Sequence, residues 1–204
     1  IEIIKGTKFD DVFNSGSNNN NNYSIEGGEG KDEYNITNTA IGNEIVNLGK
    51  DNDIFNIINV ETSINGVEKT FDGGDNGIAC GLGANGDTID GSSITTKIIY
   101  DMNDVSYVNN DHSRLTINNI GNTESYNIYI KNIENIFLGT NDDIIYGDDK
   151  DSLIKGNEGK DIIEGGAGND IIEGGSNIAG IENGDTVSYD YINSANSVNI
   201  DLCA

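Results

Sequence analysis

The stretch Gly165-Gly166-Ala167-Gly168-Asn169-Asp170-Ile171-Ile172-Glu173 decides the reading of this chain. It fits the nonapeptide G-G-x-G-x-D-x-U-x at every fixed position, where U is a large apolar residue. The pattern recurs in exact nine-residue register. Gly156 to Glu164 (GNEGKDIIE) misses only the second glycine, and Leu138 to Tyr146 keeps Gly139, Asp143 and Ile145. Gly27 to Asn35 (GGEGKDEYN) fits again with Tyr34 as the apolar residue, and weaker copies fall at 5–13 and 48–56. One such loop reads as a surface turn. Several in phase read as a structural repeat.

These residues resemble the repeats-in-toxin (RTX, haemolysin-type calcium-binding) family, closely over 138–175. The resemblance implies a parallel β-roll that folds around calcium, as carried by secreted bacterial toxins, proteases, lipases and adhesins. The expected fold is therefore all-β: a calcium-binding parallel β-roll with irregular β insertions.

The physics of the repeat fits that picture. Its first six residues must turn sharply, and glycine reaches backbone angles that cost other residues more. The last three form a short strand whose eighth residue points inward. Two nonapeptides make one coil, and strands of stacked coils pair at roughly 4.8 Å. Calcium takes roughly six to eight oxygens from carboxylates and carbonyls. The aspartate at position six supplies a carboxylate, and the glycine turns bring carbonyls together.

Register then assigns partners. Repeats 138–146 and 156–164 lie on one side, so Asp143 and Asp161 share a calcium there, with carbonyls near Gly139, Asn141, Asn157 and Gly159. Repeats 147–155 and 165–173 lie on the other, with turn glycines Gly166 and Gly168. There Asp170 meets Ser152, a weakened site unless Asp151 or Asp149 substitutes. The next turn has Ala179 at position six, so the run is expected to end. In the first half the metal candidates are Asp32 with Gly28 and Gly30, Asp53 with Asp51, and Asp10.

Composition points the same way. The formal charge is −24, from 35 acidic and 11 basic residues. That argues against nucleic acid and anionic membrane as partners, since both select basic patches, and it favours cations. No apolar run approaches the length of a membrane span. No N-terminal signal peptide is present, but the resemblance implies a retained C-terminal signal and a secreted, extracellular protein. Cys80 and Cys203 read as incidental thiols.

Internal similarity suggests two related modules, 1–102 (degenerate, with long insertions) and 103–204 (more regular). Gly86-Asp87-Thr88-Ile89 parallels Gly184-Asp185-Thr186-Val187. The chain is expected to be an excised piece of a longer repeat protein, with flanking repeats as neighbours. Residues 36–47, 57–71 and 103–137 read as further strands by alternation. Asn18 to Asn22 reads as a loop or a degenerate turn. Position seven carries Ile144, Leu153, Ile162 and Ile171, on the outer faces. Either these are surface aliphatics, or something packs on them; the nearest cover is 103–137, and a partner is the other option.

Catalytic signatures are missing. The single histidine, His112, reads as a surface residue, and no H-E-x-x-H, G-x-S-x-G or P-loop occurs. The chain therefore reads as a non-catalytic calcium-binding module of a secreted toxin or adhesin. Two rivals stand beside that reading: a module binding a glycan or host-cell surface, and a domain with an active site of acidic residues.

Overall fold

The computed structural model describes residues 1–15, 22–37, 42–58, 69–75, 86–104, 112–118, 125–176 and 184–189. Among them every regular element is a strand. Ten strands form one sheet, in the order β1 (Glu2–Lys5), β3 (Tyr23–Gly28), β5 (Glu44–Lys50), β7 (Lys69–Asp75), β11 (Ser125–Lys131), β10 (Ser113–Asn118), β9 (Ile98–Asp101), β13 (Ile144–Tyr146), β15 (Ile162–Glu164) and β17 (Thr186–Ser188). Seven form the other, in the order β16 (Ile171–Glu173), β14 (Leu153–Lys155), β12 (Asn135–Phe137), β8 (Thr88–Asp90), β6 (Ile54–Ile57), β4 (Glu33–Ile36) and β2 (Val12–Asn14).

From β1 to β8 the chain alternates between the sheets, and it does so again from β12 to β17. Each strand pairs in parallel with the strand one coil away, which makes a β-solenoid. Both sheets run unbroken across residue 102, because β9 pairs β13 and β8 pairs β12.

The one irregularity lies in the ten-stranded sheet. There β10 pairs antiparallel with both β9 and β11, and β11 rejoins the parallel array beside β7. The 103–137 segment was the expected cover for the outer aliphatic stripe. Its strands instead extend the ten-stranded sheet edge to edge, apart from β12, which lies in the seven-stranded one. Inserted between β9 and β7, β10 and β11 find backbone partners within the sheet.

The stripe stacks in the expected pairs, Ile144 on Ile162 and Leu153 on Ile171. Leu153 is buried and Ile144 half-buried, whereas Ile162 and Ile171 are 41% and 40% exposed. Inward residues alternate with these. Ile145, Ile154 and Ile163 are buried, each worth about 1.5–3 kcal/mol of transfer free energy.

The wider first half fills its lumen with rings. Phe55 stacks on Phe71 at 4.8 Å between centroids, and Tyr34 tilts against Phe71 at 5.6 Å. Beside these rings lies a fully buried ion pair. Lys69 Nζ is 2.6 Å from Glu44 Oε2, on neighbouring strands β7 and β5. His112, expected at the surface, is 4% exposed and lies in the core ahead of β10. Its polar neighbours in the sequence hid the strand pairing that buries it. Cys80 and Cys203 lie outside the described residues, as does the run 18–21.

Candidate metal centre

The turns entering the strands carry carboxylates that stack coil on coil. In the matched register of the ten-stranded side, Asp143 N–H donates to Asp161 Oδ1 (2.9 Å), and Asp161 N–H donates to Asp185 Oδ1 (3.0 Å). Ahead of them Ile98 N–H donates to Asp143 Oδ1 at 2.7 Å. On the seven-stranded side, Ser152 N–H donates to Asp170 Oδ1 at 3.0 Å. Each position-six side chain is thus tied to the neighbouring coil through one oxygen. The expected pairings, Asp143 with Asp161 and Ser152 with Asp170, are the observed neighbours.

The second oxygen is the informative one. Asp161 Oδ2 and Asp170 Oδ2 are buried and accept no hydrogen bond. Asp143 differs, because its Oδ2 accepts from Gly139 N–H at 2.8 Å. Burial is the leading cause pushing these carboxyls up, Asp161 and Asp170 to about 7 and Asp143 to about 6. Neighbouring aspartates raise Asp161 and Asp170 further, while backbone hydrogen bonds pull all three back down. An orphaned buried oxyanion is costly, and it wants a proton or a cation.

Main-chain oxygens line the same turns. A Cβ at Gly156 would collide with both Asp161 Oδ2 and the Gly174 carbonyl oxygen, so those two oxygens converge on a glycine. Gly159, at φ +130°, lies against the Asn141 carbonyl, and Gly168, at φ +117°, against the Lys150 carbonyl. Gly166, at φ +84°, lies against the Asp148 carbonyl. Asn157 takes φ +68°, and its carbonyl accepts from Ser176 N–H at 2.8 Å. Among the described residues no three His, Cys, Asp or Glu side chains converge on one point. A cation held here would therefore draw most of its oxygens from the main chain. That donor set, all oxygen with few charges, suits a hard cation of flexible coordination such as calcium.

Residues 137–172 match the RTX calcium-binding nonapeptide repeat, in 4 copies. This segment carries RTX-type repeats. RTX nonapeptides bind Ca2+, and in this β-solenoid they fit a calcium-binding β-roll. No curated protein matches the chain.

Several expected positions shift. The frame at 5–13 moves by one residue: β2 pairs with β4 so that Asp11, not Asp10, aligns with Asp32. Asp10 stands at position five and accepts from Lys31 N–H at 3.0 Å. Asp51 stands where the array has a glycine, at φ +80°, and its Oδ2 accepts from Gly30 N–H at 3.0 Å. Asp151 does not replace Ser152. It sits at position five and accepts from Asn169 N–H at 2.7 Å.

The run also does not end at Ala179. Asp185 takes position six, 24 residues from Asp161 where the array has 18, since Ile162 pairs with Thr186. Asp11, Asp87, Glu134 and Asp185 were all missed as members of these columns. A six-residue turn before a three-residue strand finds Asp11; Asp87 and Asp185 stand further than that from the glycine pairs Gly73-Gly74 and Gly174-Gly175, and Glu134 follows closely on β11 and carries a glutamate where the pattern has aspartate.

Proposed function

We propose that this chain is a calcium-binding β-roll module of a secreted RTX-like protein, a toxin or an adhesin, that folds when it meets calcium outside the cell. In this reading Asp143 and Asp161, with carbonyls of the Gly139–Asn141 and Asn157–Gly159 turns, hold calcium on the ten-stranded side. Asp170, with carbonyls of the facing turns that pack on Gly166 and Gly168, holds it more weakly opposite Ser152. The module itself performs no catalysis.

The observation that carries the reading is the pair of buried, unpartnered Oδ2 atoms of Asp161 and Asp170 inside the matched array. With a formal charge of −24, the metal-free coils must bring like charges together. Calcium supplies two positive charges at each turn. Affinity for the folded state alone is folding free energy. Extracellular calcium modules work at about 10⁻⁴–10⁻³ M, so such a chain stays loose during export and closes outside.

Circular dichroism and thermal melts of the whole chain test this. Calcium in the millimolar range should raise the β signal and the Tm over those in EDTA, and magnesium should substitute poorly because it keeps its waters. An identical spectrum and melt in EDTA and in calcium would overturn the reading.

A further inference from the structure

We propose that Lys69 and Glu44 condense into a side-chain amide once the coils have closed, so that the chain makes its own covalent link between β5 and β7. Neither residue belongs to the aspartate columns, and the bond needs no metal.

The sequence puts a charge pair where the fold asks for apolar residues. Along β5, Glu44, Val46 and Leu48 are buried, and along β7 so are Lys69 and Phe71. Register sets Val46 beside Phe71 and Glu44 directly beside Lys69. On its other flank Lys69 pairs with Ile128, also buried. The Lys69 and Glu44 side chains are 0% and 2% exposed. Two buried phenols stand near: burial first, and the Glu44 charge next, push both Tyr34 and Tyr126 up.

Such a pair is a poor source of stability, because desolvating two ions offsets their attraction. It is a good way to hold two reactants. Nζ lies 2.6 Å from Glu44 Oε2, and Cδ is at most one C–O bond further. That approaches the roughly 3–3.5 Å of a near-attack arrangement. A 3.0 Å hydrogen bond from Nζ to the Gly42 carbonyl oxygen helps to aim the nitrogen. Glu44 Oε2 and Tyr34 Oη are buried and complete no hydrogen bond, so neither is committed elsewhere. Burial pushes the Lys69 amine down, against the opposing pull of Glu44. A lysine desolvated in this way is a nucleophile.

The chemistry balances without a further reagent. A proton passes from the ammonium to the carboxylate, leaving amine and acid. The Nζ lone pair forms a bond to Cδ, and the Tyr34 hydroxyl is the donor at hand for the oxygen that takes up charge. A second Nζ proton moves to the departing oxygen, the Cδ–O bond breaks and water leaves. Ammonium and carboxylate become one amide and one water. Two buried ions are thereby replaced by a neutral group, which a dry lumen favours. The freshly folded chain holds the ion pair, and the amide accumulates with time. It closes the 25-residue span between the paired positions 44 and 69 (69 − 44). A cross-link of this kind restrains the unfolded chain, so the first-half coils gain a lock that is independent of the turns.

Intact-mass spectrometry of the whole chain follows the reaction, on samples held in calcium and in EDTA and then denatured. The parent should become lighter by the mass of one water. Fragmentation should return residues 44 and 69 in one branched peptide pair, which separates the link from water lost at an aspartate-glycine step such as Asp72-Gly73. Lys69→Arg keeps the positive charge but not the amine, and should form no branched pair. Glu44→Gln should link by expelling ammonia in place of water, a signature that a plain ion pair cannot give. A parent that keeps its full mass in both conditions, or that loses water with 44 and 69 on separate peptides, would overturn the inference and leave an ion pair alone. If either variant fails to fold, the parent's mass and fragments decide. Calcium binding is read by other measurements, so failure here leaves the preceding reading standing.

Discussion

Replacing Asp161 by asparagine should stabilise the metal-free chain and destabilise the calcium-loaded one. The side chain is completely buried. Its Oδ1 accepts the Asp143 N–H, and asparagine keeps that acceptor; its Oδ2 is the orphaned oxygen. Burial first, then Asp143 and Asp185, push the carboxyl up to about 7, against an ordinary value near 3.8. At neutral pH, carrying it into the folded metal-free coil costs on the order of 2–4 kcal/mol relative to the unfolded chain. Asparagine removes that cost. With calcium the sign reverses, because the gaps toward Asp143 and Asp185 each lose a charged donor. Loss of an outer-shell partner alone weakens metal sites by roughly 10–100-fold, and a direct ligand should cost at least as much. Paired melts of parent and variant, in EDTA and in millimolar calcium, read both signs at once. A Tm lowered equally in both conditions would make Asp161 an ordinary structural acceptor and refute the reasoning.

The remaining predictions concern the surroundings of these turns. Folded-state carboxyls at about 8 for Asp53, about 7 for Asp161 and Asp170 and about 6 for Asp143 all lie above the unfolded value; the metal-free chain should therefore be most ordered near pH 4 and lose β signal as the pH rises toward 8, and the opposite trend in EDTA would contradict this. Gly156→Ala should cost more than about 2 kcal/mol in calcium, since the new methyl meets the Asp161 carboxylate and the Gly174 carbonyl; a parent-like melt would show that the turn opens freely. Ile162→Thr should cost under about 0.5 kcal/mol, because the side chain is 41% exposed, and a larger loss would reveal a cover on that face. Lys69→Met alone should cost about 3–5 kcal/mol by stranding Glu44, and Lys69→Met/Glu44→Leu should recover most of it; equal losses in the single and double variants would show that the pair's charges are immaterial.

The legible and hidden parts of this structure divide by one physical criterion. Strand pairings from 138 to 173 could be read directly, since glycine turns of six residues followed by strands of three leave no freedom of register. Asp143, Asp161 and Asp170 were located the same way. The first half kept its turns but lengthened its coils, so the nine-residue frame loses phase there and Asp10 is taken for Asp11. Asp185 was lost for the same reason: it stands 24 residues from Asp161 rather than 18, yet still accepts the Asp161 N–H. Strand direction was never in the pattern. Alternation marks Leu115, Ile117, Ile128 and Ile130 as inward-facing, and all four are buried, but the same alternation serves parallel and antiparallel neighbours alike.

The two kinds of coil solve one electrostatic problem in different ways. Within the array a coil is too thin to bury more than an isoleucine or two on each side, so its closure depends on what neutralises the position-six carboxylates. The 21-residue coils have longer strands, and Tyr34, Phe55 and Phe71 pack between their sheets. They carry much of their stability in apolar burial, and on one side the turn aspartates give way to the amides Asn22 and Asn43, beside the buried Lys69–Glu44 ion pair. Their remaining aspartates stand on the side continuous with Ser152 and Asp170, in the seven-stranded sheet. On that side the column passes from Asp87 to Glu134, whose Oε2 accepts the Asp87 N–H at 2.9 Å. The longer glutamate side chain spans a step of 47 residues with the same hydrogen bond that aspartate makes across 18. The ladder from turn to turn is therefore conserved in geometry even where coil length, side-chain length and charge all change. Metal dependence should follow the count of unpartnered carboxylate oxygens in a coil rather than its likeness to the nonapeptide.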